Sequence, residues 1–127
     1  LMREIISTSS APAAIGPYSQ GNQIGKLLFL SGQLPVDMGT GAFPESVEEQ
    51  TEKSLTNIRS ILEAKGGTMD HVVKTTVFLS DMNHFAAMNR VYEKFFTAGA
   101  YPSRSAVEVA RLPKDALVEI EAIAYIE

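Results

Sequence analysis

The chain has 127 residues, 45% hydrophobic and 20% charged, a balance that fits a folded single domain spanning residues 1–127 and excludes a disordered one. A net charge of −4 argues against a broad electrostatic surface for nucleic acid or anionic membrane, so neither is expected as a partner. The absence of cysteine removes disulfides, thiolate catalysis and zinc–sulfur sites.

Leu1 ahead of Met2 is set aside, and Arg3–Ile6 reads as a short strand. With no long apolar stretch after Arg3 and Glu4, the start does not read as a signal peptide, and a cytoplasmic protein is expected. Ser7–Tyr18 is loop-like, and Lys26–Ser31 is an apolar strand far too short to span a bilayer. Pro35–Pro44 reads as turns around an optional short strand. A first helix is predicted from Ser46, where Glu49 completes a capping-box pattern, to Gly66–Gly67. His71–Leu79 is rich in β-branched residues and reads as a strand. A second helix is predicted over about Asn83–Thr97, with Met88, Val91, Tyr92 and Phe95 as its apolar stripe. Arg104–Ala110 and Leu117–Ile126 follow as strands around a turn at Leu112–Lys114.

The resulting order, β-β-(β)-α-β-α-β-β, predicts an α/β fold with a mixed sheet and two helices on one face. The second helix should be a right-handed crossover between parallel strands, and the last two strands should run antiparallel. Two helices cover only one face. Leu28 and Leu30 alternate with Leu27 and Phe29, and Val72 and Phe78 with Val73 and Val77, so both faces are apolar. The bare face therefore predicts a homo-oligomer.

Familiar catalytic sets are missing. His71 and His84 are isolated, no Gly-x-Ser-x-Gly occurs, and Gly39-Thr-Gly41 lacks a phosphate-loop continuation, so no metal is expected. Two strands carry more chemistry. Alternation puts Arg104, Ala106 and Glu108 on one side and Ser105, Val107 and Val109 on the other. If the valines face the helices, Arg104 points to the bare face, where its planar fork suits a carboxylate. Glu119 and Glu121 alternate with Val118, Ile120 and Ala122, and would share that face with Arg104 if the last two strands pair.

Four segments resemble the Rid (YjgF/YER057c/UK114) family: Ala11-Pro-Ala-Ala-Ile-Gly-Pro-Tyr-Ser-Gln-Gly21, Leu30-Ser-Gly-Gln-Leu-Pro35, Val73-Lys-Thr-Thr-Val-Phe-Leu79, and Pro102 to Asp115 continued by Val118-Glu-Ile-Glu-Ala122. The arginine at 104 places the similarity nearest the RidA subgroup. The resemblance implies a chorismate-mutase-like fold and a homotrimer whose sheets line a central barrel. It also implies cofactor-free hydrolysis of 2-imino acids and their enamine tautomers, released by pyridoxal-phosphate enzymes such as threonine dehydratase, to 2-keto acids and ammonia. It assigns carboxylate binding to Arg104 and water positioning to Glu119. Tyr18, Ser31, Gly32 and Asn89 match pocket positions and Phe85 an apolar wall; many members have cysteine where Ala106 stands. Arg104, Glu119 and Tyr18 are thus the expected catalytic set, with Ser31, Gly32, Phe85, Asn89 and Ala106 completing the substrate pocket. Some relatives are described as translation inhibitors, ribonucleases or holdases; the acidic charge and the lack of a catalytic histidine pair weigh against RNA work.

Overall fold

A computed structural model describes residues 2–127. Its regular elements are strands β1 (Glu4–Ile6), β2 (Gly21–Ile24) and β3 (Leu27–Gln33), helix α1 (Val47–Glu63), strand β4 (Val72–Leu79), helix α2 (Phe85–Tyr92), and strands β5 (Ser103–Glu108) and β6 (Val118–Tyr125). The six strands form one sheet in the order β1-β2-β3-β6-β4-β5. Only β4 and β5 run parallel, joined by α2 as the crossover.

Helix α1 starts where expected. Ser46 is its N-cap, and its hydroxyl accepts from the Glu49 N–H at 3.1 Å. Leu55, Ile58, Ile61 and Leu62 bury one stripe against the sheet. The helical stretch that carries α2 begins and ends in 3-10 turns, Met82–His84 and Glu93–Phe95, so the α-helix proper is shorter than its pattern suggested. Leu28, Leu30, Val77, Leu79, Ile120 and Ala122 join the helices' apolar side chains in a single core. Across the sheet, Phe29, Val107 and Tyr125 are each about two-fifths exposed. The bare, apolar second face expected from the sequence is present.

Four details differ from the expectations. The additional strand of the N-terminal meander is β2, Gly21–Ile24, which hairpins onto β3 through Gly25 at φ 57°, while Pro35–Pro44 holds turns alone. Strand β6 is inserted between β3 and β4, so β5 and β6 run in opposite directions without pairing. In β4 a bulge between Val72 and Lys74 shifts the alternation, so Val72 lies on the same buried side as Thr75, Val77 and Leu79. Phe78 consequently faces the other way from Val72 only because an extra residue intervenes; its true opposites are Val77 and Leu79.

The fourth difference concerns Arg104. It stands beside Thr75, which is buried and hydrogen-bonded to Tyr92 of α2. Arg104 and Ala106 therefore face the helices, and Val107 lies on the bare side. The polar side of β5 was assigned to the wrong face because β5 is an edge strand with α2 lying over it. A guanidinium can enter that layer from the rim, keeping its stem covered and its head accessible.

Candidate active site

Arg104 is held by one face of α2. Phe85, Asn89 and Tyr92 recur at spacings of four and three residues and so line up along the helix. Arg104 Nη1 donates to Asn89 Oδ1 at 2.6 Å. Its guanidinium carbon lies 4.8 Å from the Tyr92 ring centre and 5.4 Å from that of Phe85, within cation–π range. Tyr92 is fixed in turn by a 2.6 Å bond to Thr75 Oγ1, and burial pushes its hydroxyl pKa up against the smaller opposing effects of Thr75 and Arg104. No carboxylate pairs with Arg104 among the described residues. Arg104, Asn89 and Tyr92 line a cavity of about 430 Å³ together with Glu93, Tyr101 and Pro102. Ala106, two residues along, packs its methyl against the edge of the core.

Glu119 belongs to a different place. Its cross-strand partner is Phe78, and it sits between buried Val118 and Ile120, so it emerges on the bare face. There it lies against the backbone of Gly32: a Cβ at that position would come within 2.9 Å of Glu119 Oε2. Gly32 falls within a bulge of β3, where Leu30 to Gln33 oppose only Ala122 to Ile120. Ser31 beside it is tied down by its hydroxyl to the Ser19 carbonyl and by its N–H to the Gln20 carbonyl at 2.9 Å. Tyr18 stands at the rim, half exposed, with its hydroxyl accepting a long 3.4 Å bond from the Ile15 N–H. These groups and Glu121 line a cavity of about 680 Å³. Partial burial, and secondarily the charge of Glu121, raise the Glu119 pKa above the usual carboxylate range.

The expected site residues thus fall into two sets. Arg104, Phe85, Asn89 and Ala106 gather under the helices; Glu119, Tyr18, Ser31 and Gly32 gather on the bare face. The sheet separates them, and Arg104 and Glu119 do not share a face as expected. Two strand spacings across, about 10 Å, and the thickness of the sheet lie between them. Tyr92 is a member of the arginine set that the sequence reading assigned to the core stripe; its spacing from Phe85 and Asn89 was the available signal. Among the described residues, no three His, Cys, Asp or Glu side chains gather closely enough to hold a metal ion, and no helix is long and apolar enough to cross a membrane.

The architecture is that of a solved α/β class. The chain superposes on the Escherichia coli YjgF gene product with a TM-score of 0.92 at 49% identity, covering 98% of this chain and 99% of that one. It also superposes on Escherichia coli TdcF with bound serine at 0.91 and 47%, with the same coverage. The family model described as endoribonuclease L-PSP matches residues 8–126, and the chain belongs to that family, which is the Rid/YjgF family it resembled in sequence. Among curated relatives, a 2-iminobutanoate/2-iminopropanoate deaminase of Salmonella typhimurium is 54% identical over 97% of this chain and 98% of its own length. An Escherichia coli protein of the same name is 52% identical, with the same coverage.

Proposed function

We propose that this chain is a deaminase that hydrolyses reactive 2-imino acids, such as 2-iminobutanoate and 2-iminopropanoate, to 2-keto acids and ammonia. The observation that carries this reading is the unpaired, pre-oriented guanidinium of Arg104 in a chain that covers deaminases of that name end to end. A small carboxylate is the ligand such a fork accepts by two parallel hydrogen bonds.

The bare apolar face supports assembly. We infer that residues 1–127 act as one domain in a homotrimer whose sheets line a central barrel, working in the cytoplasm. Each site is then built from the Arg104 set of one copy and the Glu119 set of the next. Arg104 holds the substrate carboxylate, with Asn89 fixing the guanidinium and Phe85 walling the side-chain end. Glu119 holds a water against the imine carbon, near Tyr18 and the Ser31–Gly32 backbone. The water oxygen bonds to that carbon as the C=N π pair moves to nitrogen, and Glu119 takes one water proton and passes it to that nitrogen, giving a neutral carbinolamine. Glu119 then takes the carbinolamine hydroxyl proton and hands it to the amino group, so that ammonia leaves as the C–N bond breaks and the carbonyl forms. Positioning supplies most of the rate, because the substrate is already electrophilic. The test is ammonia release from 2-iminobutanoate generated in place. Release above the rate in buffer alone is expected; none would refute the reading.

A further inference from the structure

The turn between β5 and β6 holds the non-glycine residues with positive φ among those described: Lys114 at 55° and Asp115 at 56°. L-residues take this region reluctantly, so two in succession need support from their surroundings. That support is present. Leu112 and Ala116 anchor the turn by burial, the Asp115 N–H donates to the Leu112 carbonyl at 3.1 Å, and the Ala116 N–H donates to Pro113 at 3.2 Å. Arg111 grips Asp115 with two bonds, at 2.7 and 3.2 Å. What the strained turn fixes is the position of Lys114 on the rim of the Glu119 cavity. Tyr18, Glu119, Glu121 and Lys114 are the titratable groups lining that cavity, and Lys114 alone is cationic. No carboxylate pairs with it among the described residues.

We propose that Lys114 is a capture residue, drawing the anionic substrate into the Glu119 cleft before Arg104 takes hold of it. This rests on the deaminase reading above. A 2-imino acid approaching the cleft meets two carboxylates on a chain of net charge −4. An ammonium on the cavity lining offsets that repulsion, and such steering raises association rates in a salt-dependent way. Capture matters for this substrate class because a 2-imino acid also hydrolyses unaided in water. A lysine suits a passing contact, being a hydrated point charge without the two-point grip of arginine.

The experiment compares Lys114→Asn and Lys114→Asp with wild type, using 2-iminobutanoate generated in place across a salt series. Asn and Asp both tolerate the left-handed region, so the turn should keep its shape. Lys26→Asn is the control: it removes the same charge at the far end of β3, about 20 Å from Gln33. In low salt, kcat/KM is expected to fall by about 3–10-fold in the Asn variant and further in the Asp variant, with kcat unchanged. The deficit should shrink as salt rises, and Lys26→Asn should stay near wild type. Wild-type kcat/KM in both Lys114 variants, an equal fall in Lys26→Asn, or a salt-independent loss in kcat would each overturn the proposal. An inactive wild type would instead overturn the deaminase reading itself. If thermal melts show that Lys114→Asn does not fold, Lys114→Gly, which accepts this backbone freely, takes its place under the same criteria.

Discussion

The α2–β5 corner and the β3–β6 surface treat their charged groups in opposite ways. At the corner a cation makes its direct contacts with neutral partners, an amide oxygen at 2.6 Å and two aromatic rings, with Glu93 lining the same cavity. On the surface an anion rests against a glycine, short of water and beside a second carboxylate. Neither Arg104 nor Glu119 is in a salt bridge among the described residues, although Glu93 and Lys114 line their respective cavities, and no rotamer change joins the two, because they leave the sheet on opposite sides. A chain shaped only for stability would gain by pairing such groups. Keeping them apart leaves each free for a ligand, and a second copy of the chain is what would bring them to one cleft.

The largest expected effect tests the anionic side. Glu119→Gln keeps the volume against Gly32 but accepts no proton, so kcat should fall by about 10²–10⁴-fold. Calorimetric binding of 2-ketobutyrate should persist, since Arg104 is untouched. A parallel loss of binding and turnover would make Glu119 a partner in binding only. On the cationic side, Arg104→Lys preserves charge but removes the planar fork and its stacking on Tyr92, and should lower kcat/KM by roughly 10–100-fold with the assembly intact. Near-normal turnover would take Arg104 out of the site.

Mixing these two variants, after co-refolding so that subunits exchange, tests whether the regions belong to different chains. Every chain then carries one lesion. Clefts shared between random neighbours should recover about a quarter of wild-type activity, because one in four pairs an intact Arg104 with an intact Glu119. No recovery would place the whole site in a single chain. The smallest effect concerns pH. Glu119 must be unprotonated to accept a proton, so its raised pKa puts the acid limb of the kcat/KM profile above the usual carboxylate range. Glu121→Gln removes the second cause of that shift, leaving burial, and the limb should move to lower pH while Tyr18 and Lys114 still face the cavity. An unmoved limb would assign it to another group.

Most of the fold was legible because long periodic stretches carry their own signal. The alternating apolar residues of Leu27–Leu30 and the capped stripe of α1 fixed both elements and the two-faced sheet. Gly21–Ile24 was not legible: it is short and half polar, and acquires strand character from pairing with β3. The side of the sheet that Arg104 would take was not legible either. Local alternation gives parity within a strand, but which parity meets the helices depends on bulges and on strand order. The bulge at Val73 and the insertion of β6 between β3 and β4 are both non-local facts. The candidate site residues came from the resemblance, whereas their division between two faces needed the structure.

That division has a consequence in mass action. If each cleft draws on two chains, the quantity of working sites follows the equilibrium between free and assembled protomers, not the quantity of protein. Dilution toward the dissociation range would then cost activity faster than it costs protein. A substrate or product that bridges Arg104 and Glu119 would pull the equilibrium back toward assembly, coupling ligand supply to the number of sites available to meet it.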